Sequence, residues 1–322
     1  MRTDETAYPS RPQIEAAREL IGDRVRRTPV LVVRLDDGRE VSLKLELLQH
    51  TGSFKPRGAF HSVLGAAERP RTLVAASGGN HGLAVAHVGR ELGIPVQVFV
   101  PTTAPPVKVA RLHELSATVH QVGDRFAVAL EASADAARAP GALAVHAYDG
   151  MPTVTGQGTL GAEIEEQIGG DTVLVAVGGG GLLGGVASWF TGRRKLVAVE
   201  PEGCDALHAA LRAGHPVATK PSGVAADALG ATMIGQVGFA AAVAAEVTSV
   251  LVTDADIRAA RQWLWGSTRI AAEPGGATAL AALCSGAYAP EDGERVTVIV
   301  CGGNADPSQL ESVGAPVTGS GR

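Results

Sequence analysis

Lys55 stands in "HTGSFKPRGAF" (50–60), with Ser53 and Phe54 before it and Pro56 after it. Solvated lysines usually sit among polar groups, and this one does not. The stretch also reads as a loop lysine beside a helix start, since Pro is common at the first helical position. Further along, "AVGGGGLLGG" (176–185) runs an apolar strand into Gly178, Gly179, Gly180 and Gly181, and then into an apolar helix. Consecutive glycines let backbone N–H groups converge on an anion, and a helix N-terminus adds partial positive charge. The run lacks the Lys-Ser/Thr of a nucleoside-triphosphate loop and does not match GxGxxG with a ribose-binding acid. It reads as a cup for a single phosphate. The plainer reading is a tightly packed turn, set against the entropic cost of successive glycines.

Two more strand ends carry polar groups. In "AASGGNHGLAVA" (75–86), Ser77, Asn80 and His81 offer donors at a helix start. That setting suits a carboxylate or a phenolic oxygen. Ser and Asn are also ordinary N-cap residues, and a lone His is most often structural. In "VTVIVCGGNAD" (296–306), Cys301 ends an apolar strand. A buried Cys is usually a small hydrophobe, but carboxyl ends of strands are where ligands collect in open α/β sheets. A phosphate cup, an amine, a carboxylate-binding loop and a thiol together suggest pyridoxal phosphate, whose aldehyde condenses with lysine.

The elements that must position these groups alternate in type. Apolar runs at 29–35, 41–48, 71–77, 95–100, 117–122, 142–147, 172–177, 195–200, 246–253 and 295–301 read as strands. Helical patterns fall at 12–25, 82–92, 105–115, 125–138, 153–168, 254–265 and 276–284, and directly after the glycine run. Alternation of this kind implies parallel sheets covered on both faces. Two such series imply two α/β domains with a cleft between them.

Composition narrows the partners. The chain has 322 residues and 45% hydrophobic content, enough for a packed core. Lys plus Arg number 28 against 33 Asp plus Glu, a net charge of −5, which supplies no basic face for nucleic acid. Cys204, Cys284 and Cys301 are far apart and without CxxC spacing. They argue against a disulfide framework or a zinc site and fit a reducing, cytoplasmic setting. The polar start carries no apolar signal region, and no apolar run is long enough to cross a membrane. The tail at 313–322 is expected to be disordered.

"SFKPRGA", "SGGNHG", "GGGGLLGG", "AADALGA", "AEPGGA" and "CGGN", in this order and spacing, resemble the serine/threonine dehydratase and serine racemase group. These are fold-type II, tryptophan synthase β-like pyridoxal-phosphate enzymes, and the resemblance runs from Pro12 to Asp306. It implies two open parallel-sheet domains with helices on both faces. A small domain at 50–145 would be inserted in a large cofactor-binding domain made of 1–49 and 146–322. Lys55 would be the Schiff-base lysine and the acid/base at the substrate Cα. Phe54 would pack on the pyridine ring, Ala228 would line its other face, and Cys301 would face the ring nitrogen. Asn80 would meet the ring hydroxyl. Ser77, Gly78, Asn80 and His81 would form the substrate loop, with Ser77, Asn80 and His81 on the carboxylate. Gly178 to Gly181 and the Leu182 N–H would hold the phosphate. The implied activity is an ammonia-lyase that turns L-threonine or L-serine into a 2-oxo acid and ammonia, in a protein that is commonly a homodimer.

Departures from the family pattern sharpen the expectation. Racemases of the group carry a second serine where Gly78 stands, so elimination is expected, with racemisation weak or absent. Metal-dependent members have a Glu and an Asp after the strand that follows the glycine loop. Here "VEPEGCDALH" offers Glu200, but Ala206 holds the second acid's place and Asp205 lies one residue early. Glu200 is therefore a weak metal candidate and reads first as a solvated turn residue. The short remainder after "CGGNAD" leaves no room for a feedback domain, so isoleucine control is not expected. Asp149 in "HAYDGMPT" is expected near the substrate. Alternatives are a dehydratase for a 3-hydroxyaspartate or phenylserine, then a serine racemase, a β-replacement enzyme, and a silent cofactor-binding protein.

Overall fold

A computed structural model describes residues 7–305, and the expected disordered tail lies outside them. The large sheet collects β1 (Val30–Arg34), β2 (Glu40–Lys44), β7 (Thr172–Ala176), β8 (Lys195–Pro201), β9 (Thr248–Val252) and β10 (Val296–Ile299). Its spatial order is β1-β2-β10-β7-β8-β9. The small sheet, ordered β5-β4-β3-β6, holds β3 (Thr72–Ala76), β4 (Val96–Val100), β5 (Thr118–Gln121) and β6 (Ala142–Ala144). Every pairing is parallel except β1 with β2. That exception is a hairpin. Gly38 takes φ +87° in its Asp36-Asp37-Gly38 turn, a conformation that favours glycine.

β7 and β10 are buried along their whole length, which is why they read as unbroken apolar runs. β1 lies at the sheet edge and exposes Leu31 and Val32. The apolar run at 41–48 stops as a strand at Lys44, and a 3-10 turn over Glu46–Leu48 follows.

Helices cover the sheets. They are α1 (Arg11–Ile21), α2 (Lys55–Leu64), α3 (Asn80–Leu92), α4 (Pro106–Glu114), α5 (Phe126–Ala136) and α6 (Met151–Gln167). Then come α7 (Gly181–Phe190), α8 (Ala206–Ala213), α9 (Ala226–Leu229), α10 (Gln236–Ala244), α11 (Asp254–Thr268) and α12 (Pro274–Ser285). One core packs Leu160, Val175, Leu183, Phe190, Leu280 and Val298 around the large sheet. A second packs Phe60, Leu73, Val85, Val98 and Leu112 under the small one.

A buried charge cluster fixes α2 from behind. Arg57 Nε donates to Glu46, and its Nη2 donates to Glu163 Oε2 at 2.8 Å. Lys44 Nζ donates to Glu163, to the Thr28 carbonyl and to Gln167 Oε1. Two cations meet two carboxylates, and Thr28 Oγ1 donates to Glu46 Oε2 at 2.8 Å. This is the condition under which buried charges are tolerated. The helix that begins at Lys55 is thereby tied to β2 and α6.

Candidate active site

Sheet order decides which loops meet. β10 lies between β2 and β7, so the chain leaving β10 at Cys301 runs beside the loop leaving β7 at Gly178. The segment after β2 is stitched to the same place. Leu47 N donates to Val300 O at 2.8 Å, Phe54 N to Cys301 O at 3.2 Å, and Gly303 N to Gly52 O at 2.9 Å. Ser53 forms an isolated bridge with Gly302. In the small sheet β3 pairs with β6, which places the Ser77–His81 loop beside the His146–Asp149 loop. Five carboxyl ends, those of β2, β3, β6, β7 and β10, thus face one cleft, the position where open α/β sheets bind ligands.

Lys55 is the first residue of α2, and Pro56 follows it inside the helix. The stretch is a helix start, and its lysine side chain reaches the loop after β6. Nζ donates to the Ala147 carbonyl at 2.7 Å and lies 5.1 Å from the Phe54 ring centroid. Burial brings its pKa down to about 8, and the more distant Cys301 and Glu273 oppose this only in part. At neutral pH about a tenth of the amine is then unprotonated, far more than for an ordinary lysine, and this is the form a nucleophile requires.

Gly178 to Gly181 link β7 to α7, and Gly180 takes φ +87°. The first hydrogen bond of α7 runs from Gly184 N to Gly180 O at 2.7 Å. The N–H groups ahead of it, Leu182 included, are therefore the free donors of a helix start. The Tyr148 ring closes the cup on one side: a Cβ on Gly179 would lie 2.3 Å from its Cγ.

Cys301 Sγ donates to the Gly275 carbonyl at 3.5 Å. Burial pushes its thiol up to about 12, so it is a neutral, weak donor at any ordinary pH. Gly275 also abuts Ala228, since a Cβ there would lie 2.9 Å from the Ala228 Cβ. Ala228, on α9, is thus brought to the Cys301 side of the cleft.

In the small sheet's loop, Ser77 Oγ accepts from Gly79 N at 3.2 Å. Asn80 opens α3 and uses both ends of its amide. Its Oδ1 accepts from Asn304 Nδ2 at 2.6 Å, and its Nδ2 donates to Glu273 Oε1 at 2.6 Å. The His81 ring is turned inward, with Nε2 donating to Val145 O at 2.8 Å. Burial, with Lys55 nearby, lowers its pKa to about 3. The ring stays neutral, and what His81 offers the loop is its backbone N–H. Gly78 is not crowded: a Cβ there would meet Val100 at 3.4 Å and Lys108 at 4.0 Å.

One expectation needs correction. Glu200 is fully buried at the end of β8 and is no solvated turn residue. Its two carboxylate oxygens accept from Leu207 N and His208 N, both at 2.8 Å, and so cap the start of α8. Burial pushes its pKa up to about 8 against those two donors. Among the described residues, no group of three or more His, Cys, Asp or Glu is placed to hold a metal ion. Asp149 Oδ1 accepts from Val237 N at 3.0 Å at the start of α10, which adjoins the glycine loop through the hydrogen bond from Gly235 N to Gly179 O at 3.0 Å.

The sequence also left groups unassigned. Glu273, in the "AEPGGA" motif, is a buried acid facing Asn80. Tyr148 walls the glycine loop. His146 Nδ1 accepts from Asp149 N at 2.8 Å, which leaves the proton on Nε2. Across the cleft, Lys108 on α4 pairs with Asp227 on α9, and Arg111 Nη2 donates to Asn304 Oδ1 at 2.6 Å.

These residues fit pyridoxal phosphate: an amine freed from carboxylate partners, a glycine-lined set of backbone donors, and a neutral thiol across the cleft. Residues 21–302 match the family model described as "Pyridoxal-phosphate dependent enzyme". The chain belongs to that family. It is 36% identical over 313 residues to the phenylserine dehydratase of Ralstonia pickettii, covering 94% of this chain and 95% of that protein. It is 32% identical over 309 residues to the L-threonine ammonia-lyase of Thermotoga maritima, covering 93% and 77%. The maize serine racemase structure superposes with a TM-score of 0.87 at 28% identity, covering 94% of this chain and 96% of that one. The protein is a pyridoxal-phosphate-dependent lyase with dehydratase activity. Its described residues include no helix long and apolar enough to cross a membrane.

Proposed function

We propose that the protein eliminates water from a small β-hydroxy amino acid, L-threonine or L-serine, and releases a 2-oxo acid and ammonia. The observation that carries this reading is Lys55: an amine whose hydrogen-bond partner among the described residues is a backbone carbonyl, its pKa near 8, where five strand ends meet. Pyridoxal phosphate, when bound, supplies the aldehyde that takes up the substrate amine and a ring that withdraws electrons from Cα. Lys55 would hold the cofactor through its amine and is the group placed to take the proton from the substrate Cα. Gly178 to Gly181 and the Leu182 N–H would hold the phosphate, and Phe54 and Ala228 would flank the ring. The Cys301 thiol, neutral at ordinary pH, would face the ring nitrogen without protonating it, which suits elimination of the β-hydroxyl. Ser77, Asn80 and the His81 N–H hold the substrate carboxylate. With Gly78 in the loop, no hydroxyl stands ready to return a proton to the opposite face of Cα, so racemisation is weak.

A second reading rests on the likeness to the phenylserine dehydratase: the same elimination on a substrate with an aryl side chain. We further place residues 50–145 as the small domain, with 1–49 and the remainder as the large one. The protein acts as a homodimer in the cytoplasm, where the exposed thiol of Cys284 stays reduced. The test is 2-oxo acid release by cofactor-loaded protein from L-threonine, L-serine and phenylserine, with Lys55→Ala as the blank. Lys55-dependent release from the first two supports the main reading. Release from phenylserine alone moves the assignment to the second, and release from none contradicts both.

A further inference from the structure

We propose that Glu273 is a positioning residue that fixes which way the Asn80 amide faces the cofactor. The inference rests on the reading above that Asn80 meets the ring hydroxyl. An asparagine amide has an acceptor end and a donor end of nearly the same shape, and only its partners decide the orientation. Here the partners form a directed chain. Arg111 Nη2 donates to Asn304 Oδ1 at 2.6 Å. Asn304 Nδ2 donates to Asn80 Oδ1 at 2.6 Å and to Thr51 O at 2.7 Å. Asn80 Nδ2 then donates to Glu273 Oε1 at 2.6 Å. A guanidinium can only donate, so the Arg111 end sets the direction, and Glu273, whose pKa burial raises, accepts at the other end in its ionised form. The carbonyl of Asn80 is used by Asn304 and one N–H is used by Glu273. A single N–H is left for a ligand acceptor, which suits an ionised ring oxygen.

Glu273 is built into this place. It is 8% exposed, and among the described residues no Lys, Arg or His forms an ion pair with it. A buried carboxylate without a cation partner is costly and needs a reason to persist. Its backbone N–H donates to Gly302 O at 3.1 Å. A Cβ at Gly302 would lie 2.1 Å from Glu273 Oε1, so the glycine after Cys301 is what admits the carboxylate. Holding the last Asn80 N–H on the ring oxygen keeps that oxygen ionised. The charge state of the ring hydroxyl sets the balance between the visible and shorter-wavelength bands of the bound cofactor.

The test is a double-mutant cycle on holoenzymes of Glu273→Ala, Asn80→Ala and the pair, with Glu273→Gln as a variant of conserved volume. The readouts are the cofactor dissociation constant and the share of the visible band at neutral pH, with folding checked by circular dichroism. Glu273→Ala is expected to weaken cofactor binding about tenfold and shift absorbance toward the shorter wavelength. Asn80→Ala does the same, and the pair is no worse than Asn80→Ala alone. Glu273→Gln gives a smaller shift in the same direction and carries the cycle if the alanine variant does not fold. A wild-type spectrum in the Glu273 variants, or effects that multiply in the pair, overturns the proposal. A wild-type protein with no Lys55-dependent visible band overturns the functional reading itself, which separates the two failures.

Discussion

Helix α2 carries two cations, Lys55 and Arg57, that face opposite ways. Arg57 looks back into the protein, where Glu46 and Glu163 meet it. Burial alone would lower its pKa, but the two carboxylates overcome this and hold it above the ordinary value. Lys55 looks forward into the cleft and has a backbone carbonyl where Arg57 has acids. The same burial therefore wins at Lys55 and brings the amine to about 8. The buried Arg57 and the half-buried Lys55 thus differ through their counter-charges: pairing makes Arg57 an anchor, and the lack of a carboxylate partner among the described residues suits Lys55 to the proposed role of nucleophile. The rigid rear contact also fixes where the reactive amine stands.

The comparison can be broken from either side. The largest effect is expected at the front. Lys55→Ala should lower 2-oxo acid release by at least about a thousandfold while leaving the unfolding midpoint close to wild type. Both are read on one preparation, by product assay and denaturant unfolding. At the rear the pattern inverts. Arg57→Met leaves Glu46 and Glu163 short of a partner and should cost about 3–5 kcal/mol of stability in urea unfolding. Combining it with Glu46→Gln should recover part of that loss, because one uncompensated charge is removed. If Arg57→Met were neutral in stability, the anchor reading of α2 would fail. The smallest effect is in the substrate loop. Gly78→Ser fits without crowding and should change elimination by less than about tenfold while D-serine begins to form from L-serine. Chiral chromatography of the reaction mixture decides it, and an unaltered product set would remove Gly78 as the reason for weak racemisation.

The legible parts of the sequence were those whose physics leaves a local mark. β7, β8 and β10 are buried strands of a covered sheet, so their apolar runs are continuous. The glycine run and Lys55 stand out because their residue types are unusual for the turns they occupy. The stretch from 206 to 244 was not legible as α8, α9 and α10. α10, "QVGFAAAVA", is apolar around most of its circumference and shows no helical period. Glu273 was hidden for another reason. An acid directly before a Pro-started helix is what ordinary capping produces, and Glu273 is indeed the backbone N-cap of α12. Only the partner of its side chain, Asn80, distant in the chain, marks it as part of the site. Glu200 misled in the same way, since "VEPEG" has the composition of a turn while β8 runs on through Pro201.

The most direct test of the contrast between the two cations is the titration of Lys55 itself. The cofactor-free protein would be reductively methylated with formaldehyde at a series of pH values, and the modification of Lys55 followed by peptide mass analysis. An amine reacts only when unprotonated, so labelling should rise with pH and level off. The account predicts a midpoint near pH 8, the value to which burial brings this amine. A midpoint near the ordinary lysine value of 10.5 would mean that Lys55 is solvated or paired, and would contradict the account.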